Sequence, residues 1–187
     1  MINLKELLVE NPVIAAIRND KDLKKVIVSK AAIVFVLYGN ILSIAQTCAA
    51  LKEKGKIVFV HVDLIDGLKG DSAGIKFIKE FANPHGIIST KTSNIKCANQ
   101  VGLYTIQRVF VIDSLSLNTG INNIHENKPN AVEVMPGIAS KIISSLEKKV
   151  HVPIIAGGLI KNKKDVMDSL AAGAIAISTT GEELWNL

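Results

Sequence analysis

Eight short apolar runs alternate with helix-length polar segments along almost the whole chain. They occupy residues 13–17, 33–37, 57–62, 86–88, 103–107, 131–135, 152–156 and 174–178. A strand buried on both faces reads as a continuous apolar run, not as an alternating one. Strands separated by helical segments read as βαβ units of a parallel sheet. Eight such units predict an α/β fold, a compact (β/α)8 TIM-type barrel, with residues 1–187 as a single barrel-like domain. An open doubly wound sheet is the alternative, and it usually needs fewer strands. Barrels commonly run to about 250 residues. This chain has 187, so its helices must be short and its loops few.

The helical segments carry their own start and stop signals. A first helix over 4–9 is closed by Asn11-Pro12, because proline cannot continue a helix and pushes the residue before it into an extended conformation. Asp20 is placed to cap a helix through residue 28. Further helices are expected over 42–54, stopping at Gly55, and over 72–81. Another covers 93–100, ahead of Gly102, and one runs from a cap at Asp113 or Ser114 to about His125. The last three are expected over 139–149, 163–172 and 181–185. Residues 109–112 prolong the fifth apolar run, so the pattern does not fix the end of that strand.

Hydrophobic residues make up 48% and charged residues 21% of the chain, as in ordinary globular proteins. No apolar stretch approaches the ~18 residues of a membrane span. The start, MINLKELLVENP, has no signal-peptide core. A cytoplasmic protein with no membrane partner is therefore expected. Cys48 and Cys97 form no CxxC pair and read as reduced thiols in or near the core. The net charge of +5 is compatible with a polyanionic partner, while 4% aromatic residues argue against a platform for stacking bases. Basic clusters at Lys24-Lys25, Lys52/Lys54/Lys56, Lys148-Lys149 and Lys161/Lys163/Lys164 read as solvated helix ends, with a polyanion surface as the alternative.

In a barrel, function lies at the C-terminal ends of the strands. Those positions hold Arg18, Asp63, Ser89 to Lys91, Gln107, Arg108, Glu133, Gly157, Gly158, Ser178, Thr179 and Thr180. The loops after strands 7 and 8, with a short helix behind them, form a recurrent phosphate site in such barrels. Gly157-Gly158 lets backbone approach a ligand, and Ser178-Thr179-Thr180 stands in the matching place one unit later. A tight turn and a helix cap are the alternatives for these two groups. Arg18 and Arg108 read as anion ligands or as salt-bridge partners of Asp63 or Glu133. Glu133 lies inside an apolar run, and a carboxylate there needs a partner or a task. Asp63 and Glu133 could hold ligand hydroxyls or act as a general acid and base. Lys91 reads as a loop lysine near a strand end, and His61 as a barrel-interior or satisfied core histidine. No metal-ligand spacing, HExxH, GxGxxG, P-loop or GxSxG pattern occurs. The eight runs carry no lysine, which weakens a Schiff-base aldolase.

Six stretches resemble one family: PVIAAIRN (12–19), HVDLIDGLKGD (61–71), GIISTKTSNIKCANQVGLYTIQRVFVIDS (86–114), VEVMPGI (132–138), VPIIAGGLIKNKKDV (152–166) and AGAIAISTTGEELW (172–185). Together they are similar to the glycerol-uptake operon antiterminator regulatory proteins. The resemblance implies a (β/α)8-type fold, glycerol 3-phosphate as effector, no cofactor, and action on the leader mRNA of glycerol-utilisation operons. It implies a ligand-sensing regulator, not an enzyme. Loops 64–71 and 89–94 are then candidates for moving parts, and a homo-oligomer is compatible with the chain. The competing reading is a phosphosugar isomerase or lyase using Asp63 and Glu133 as acid and base. A phosphodiesterase is a third reading, weakened because only His61 among the histidines lies near a strand end.

Overall fold

A computed structural model of the chain describes residues 3–187, so Met1 and Ile2 of the MINLKELLVENP start lie outside it. Eight strands are present: β1 (Val13–Ile17), β2 (Ile33–Val36), β3 (Ile57–His61), β4 (Gly86–Ser89), β5 (Tyr104–Phe110), β6 (Ala131–Met135), β7 (Ile154–Gly157) and β8 (Ala176–Thr179). They close in sequence order, and β8 pairs back onto β1. Every pairing is parallel. This is the single closed (β/α)8 barrel expected from the eight runs.

Helix α1 (Leu4–Glu10) precedes the first strand. Seven helices link the strands: α2 (Asp20–Val26), α3 (Ile44–Glu53), α4 (Ser72–Phe77), α5 (Thr92–Gln100), α6 (Ser114–Asn127), α7 (Ser140–Glu147) and α8 (Lys163–Ala171). Side chains alternate across each strand, which sorts the core into an inside and an outside. Ile14, Ile33, Phe35, Phe59, Ile88, Ile106, Ile155 and Ala176 fill the barrel, and Leu4 and Leu8 of α1 join them. Phe35 and Phe59 meet edge to face there, with ring centroids 5.8 Å apart. The opposite strand faces pack under the helices in two clusters, one mainly over β1–β4 and one mainly over β5–β8. With α1 packed into this interior core, the loops after the strands are left to frame the other mouth.

Several boundaries differ from the sequence expectation, each for a local reason. The N-cap of α2 is Asn19 and not Asp20, because the Asn19 side chain accepts the Asp22 N–H at 2.9 Å. The helix over 72–81 is α-helical only to Phe77 and continues as a π turn, Ile78–Ala82, ended by Asn83 at φ 45°. Strand β5 runs to Phe110, so Arg108 sits within the strand and not after it. The terminal helix is a 3-10 turn, Glu182–Asn186. It places Trp185, 2% exposed, so that its indole N–H donates to the Thr179 carbonyl at 3.0 Å. Cys48 and Cys97 are both free thiols. Among the described residues no helix is long and apolar enough to cross a membrane.

Candidate functional site at the strand C-terminal ends

The site is built around a carboxylate with no exposure to solvent. Glu133 points into the barrel from β6, two residues beyond Ala131 on the same face. In the β5–β6 register its direct neighbour is Arg108. The Arg108 Nε–H donates to Glu133 Oε2 at 2.6 Å, and the Ser178 hydroxyl donates to Oε1 at 2.5 Å. Gly157 makes room for this arrangement. A Cβ there would stand 2.5 Å from Oε1 and 2.8 Å from the Ser178 oxygen. The pair is therefore desolvated on both sides: Arg108 is 7% exposed and Glu133 is 0%.

Above this pair lies a cavity of about 90 Å3 that Arg108, Gly158, Leu159, Ser178, Thr179 and Thr180 help to line. It is far smaller than the roughly 300–1,000 Å3 of drug-sized sites. Gly158 and Leu159 both take positive φ, 77° and 62°. The backbone N–H groups of Gly158, Leu159 and Thr180 find no acceptor among the described residues. Among the described residues the Arg108 guanidinium bonds through Nε alone, so its remaining N–H groups have no partner there. Unpaired N–H groups beside a guanidinium form a setting for an anion. Thr179 is occupied otherwise: its hydroxyl donates to the Ile160 carbonyl and accepts the Gly181 N–H.

The structure thus brings Arg108, Glu133, Gly157, Gly158, Ser178, Thr179 and Thr180 to one mouth. Three predicted residues stand apart from the cavity. Arg18 is exposed, and its backbone N–H caps onto Asp22. The Lys91 ammonium lies beside Gly70, in the loop after β3. Asp63 accepts from the Thr90 N–H, the Ser89 and Thr90 hydroxyls and the Asn94 amide, at 2.7–3.1 Å. Burial alone would raise the Asp63 carboxyl, but these donors outweigh it and hold it below its ordinary range. Its oxygens fasten β3 to the loop that opens α5.

His61 is a barrel-interior residue, as expected from its run, but not a satisfied one. It lies inside the barrel, 2% exposed, and its Nδ1 has no hydrogen-bond partner. Burial, and then the Arg108 charge, push its pKa down to about 4, against a smaller opposing pull from Asp63. Its ring is therefore neutral at pH 7. The Gln107 and Asn94 side-chain oxygens are also buried without a partner. The available signal was a polar residue interrupting an apolar run, true of His61 and Gln107 as of Glu133. Among the described residues no three His, Cys, Asp or Glu side chains gather as a metal site.

Two outcomes follow from this geometry. Replacing Arg108 by Met strands a buried carboxylate and costs about 3–5 kcal/mol of stability in urea unfolding. Adding Glu133→Gln restores more than half of that loss, whereas equal losses in the single and double variants would contradict the pairing. The second outcome concerns pH. The unfolded chain protonates His61 near pH 6.5 and the folded protein only near 4. Between these values the unfolded state holds more protons, so stability falls as pH drops, by on the order of 3 kcal/mol. In His61→Gln the stability profile from pH 7 to 4.5 is flatter, and an unchanged slope would contradict a neutral buried imidazole.

Comparison with known proteins places the chain in a family. The family model described as glycerol-3-phosphate responsive antiterminator matches residues 13–185. The uncharacterized protein YgcP of Escherichia coli K12 is 37% identical over 184 residues, 98% of this chain and 96% of that one. The glycerol uptake operon antiterminator regulatory protein of Listeria monocytogenes superposes with a TM-score of 0.90 at 35% identity, covering 92% of this chain and 94% of its own. A glycerol uptake operon antiterminator-related protein of Thermotoga maritima gives 0.84 at 31% identity, covering 94% and 98%. The chain belongs to the glycerol-3-phosphate responsive antiterminator family.

Proposed function

We propose that this protein senses glycerol 3-phosphate and acts as a transcription antiterminator by binding the leader RNA of glycerol-utilisation operons. The observation that carries the ligand half is the 90 Å3 cavity where uncommitted N–H groups of Gly158, Leu159 and Thr180 meet the Arg108 guanidinium. The phosphate is held there by the loops after β7 and β8. The short glycerol chain lies over Ser178 and Glu133, with neutral His61 in the same barrel interior. Hydroxyls suit these groups, since a carboxylate accepts from them and an imidazole either accepts or donates.

The isomerase or lyase reading needs Asp63 and Glu133 free as acid and base. Both carboxylates spend their oxygens on internal donors, which favours a site that holds over one that transfers protons. A sensor also needs its ligand to bind two states differently. The Gly137 N–H donates to the Gly157 and Gly158 carbonyls at 2.5 and 3.2 Å, and Ser169 donates to the Gly137 carbonyl at 2.9 Å. The loop into α7 therefore hangs on the glycine pair that would face the phosphate.

Calorimetric titration with glycerol 3-phosphate tests the ligand assignment, with glycerol and inorganic phosphate as controls. Micromolar binding of the ester, at least about tenfold tighter than either control, a difference of about 1.4 kcal/mol, is the expected result. No binding of the ester, or equal binding of all three, would overturn it.

A further inference from the structure

The four basic clusters of the sequence do not meet the same fate in the fold. Lys25 pairs with Glu182 at 2.6 Å. Lys52 donates to the Asn83 carbonyl, and Lys56 is buried on the carbonyls of Ser29 and Ala31. Lys164 pairs with Asp168 along α8. Only the Lys148-Lys149 cluster has no intramolecular partner for any of its ammonium groups among the described residues.

That cluster does not stand alone. Ile143 and Leu146 turn α7 inward, which leaves Lys141, Ser145, Lys148 and Lys149 on one outer face at spacings of four, three and one. A shallow groove of about 440 Å3 runs along this face, lined by Ser140, Lys141, Ser144, Ser145, Lys148 and Lys149. It holds three lysines, no acid and no aromatic ring, and of its three serines Ser144 already donates its hydroxyl to the Ala172 carbonyl at 3.0 Å. Lys141 and Lys148 stand about 10 Å apart along the helix axis. Glu147, the acid of this helix, packs against Gly173 instead.

We infer that this face of α7 is where the protein grips RNA, through the phosphate backbone and not through the bases. The inference rests on the antitermination reading and assigns its nucleic-acid surface. Lysine ammonium groups neutralise phosphates, and serine hydroxyls donate to phosphate or ribose oxygens. Without an aromatic side chain the groove cannot stack unpaired bases, so it fits the backbone of a structured RNA. The face also continues from the loop that Gly137 ties to Gly157 and Gly158, which connects it to the ligand cavity.

The test is a salt titration of binding to a fluorescently labelled leader transcript from a glycerol-utilisation operon. Three proteins are compared: wild type, the variant Lys141→Gln/Lys148→Gln/Lys149→Gln, and the charge-matched control Lys5→Gln/Lys76→Gln/Lys96→Gln. The stripe variant is expected to lower the slope of log affinity against log salt by about 2 to 3, at ~0.7–0.9 per lost phosphate contact. It keeps its thermal midpoint and its calorimetric affinity for glycerol 3-phosphate, and the control keeps the wild-type slope. If the stripe variant binds RNA as wild type does, or the control loses as much, this surface is wrong and the antitermination reading stands. If wild-type protein binds glycerol 3-phosphate but no transcript at any salt, the RNA half of that reading falls and the surface with it.

Discussion

A carboxylate sealed inside a barrel must be answered by its surroundings, and Glu133 sets the terms for the residues around it. Taking such a group out of water without a partner costs several kcal/mol. The chain answers from the two strands beside β6 and from β8 one step further on. Arg108 of β5 supplies the charge, Ser178 of β8 a hydroxyl, and Gly157 of β7 the missing side chain that leaves space for both oxygens. Each comes into reach through parallel register, since Arg108 stands opposite Glu133 and Gly157 opposite Ser178.

One consequence is that Arg108 is held at a fixed height with part of its guanidinium uncommitted. The cavity above it is bounded by the glycine pair and by the chain leaving β8. The same carboxylate that would be a liability in an apolar barrel thus orients the cation of the proposed anion site. His61, neutral because it is buried next to that cation, completes a polar layer over the apolar interior. A different carboxylate, Asp63, performs the corresponding task on the other side by tying β3 to the start of α5.

Much of this was legible in the residues alone. The eight apolar runs predict eight strands and a closed barrel, and each run contains most of the strand found there. Glu133 inside its run announced a need for a partner, and the paired polar loops after runs 7 and 8 marked the mouth. What was not legible depended on parity and register. Arg108 reads as a loop residue if β5 ends at Gln107 and as an interior one if the strand runs on to Phe110, and the apolar residues that follow it obscure the difference. Asp63 looked available to a ligand because its donors, Ser89, Thr90 and Asn94, lie 26 to 31 positions away. The pair Lys148-Lys149 reads like any solvated helix end until the fold shows that each of the other basic clusters commits at least one lysine to an internal partner.

The central claim is that occupancy of the barrel mouth and RNA affinity are linked. It is tested most directly by measuring the affinity of the wild-type protein for a glycerol-operon leader transcript, first without ligand and then with saturating glycerol 3-phosphate. A change of at least about fivefold is expected, a coupling of roughly 1 kcal/mol. Equal affinities at saturation would contradict the account, because a ligand that does not distinguish two states cannot shift them.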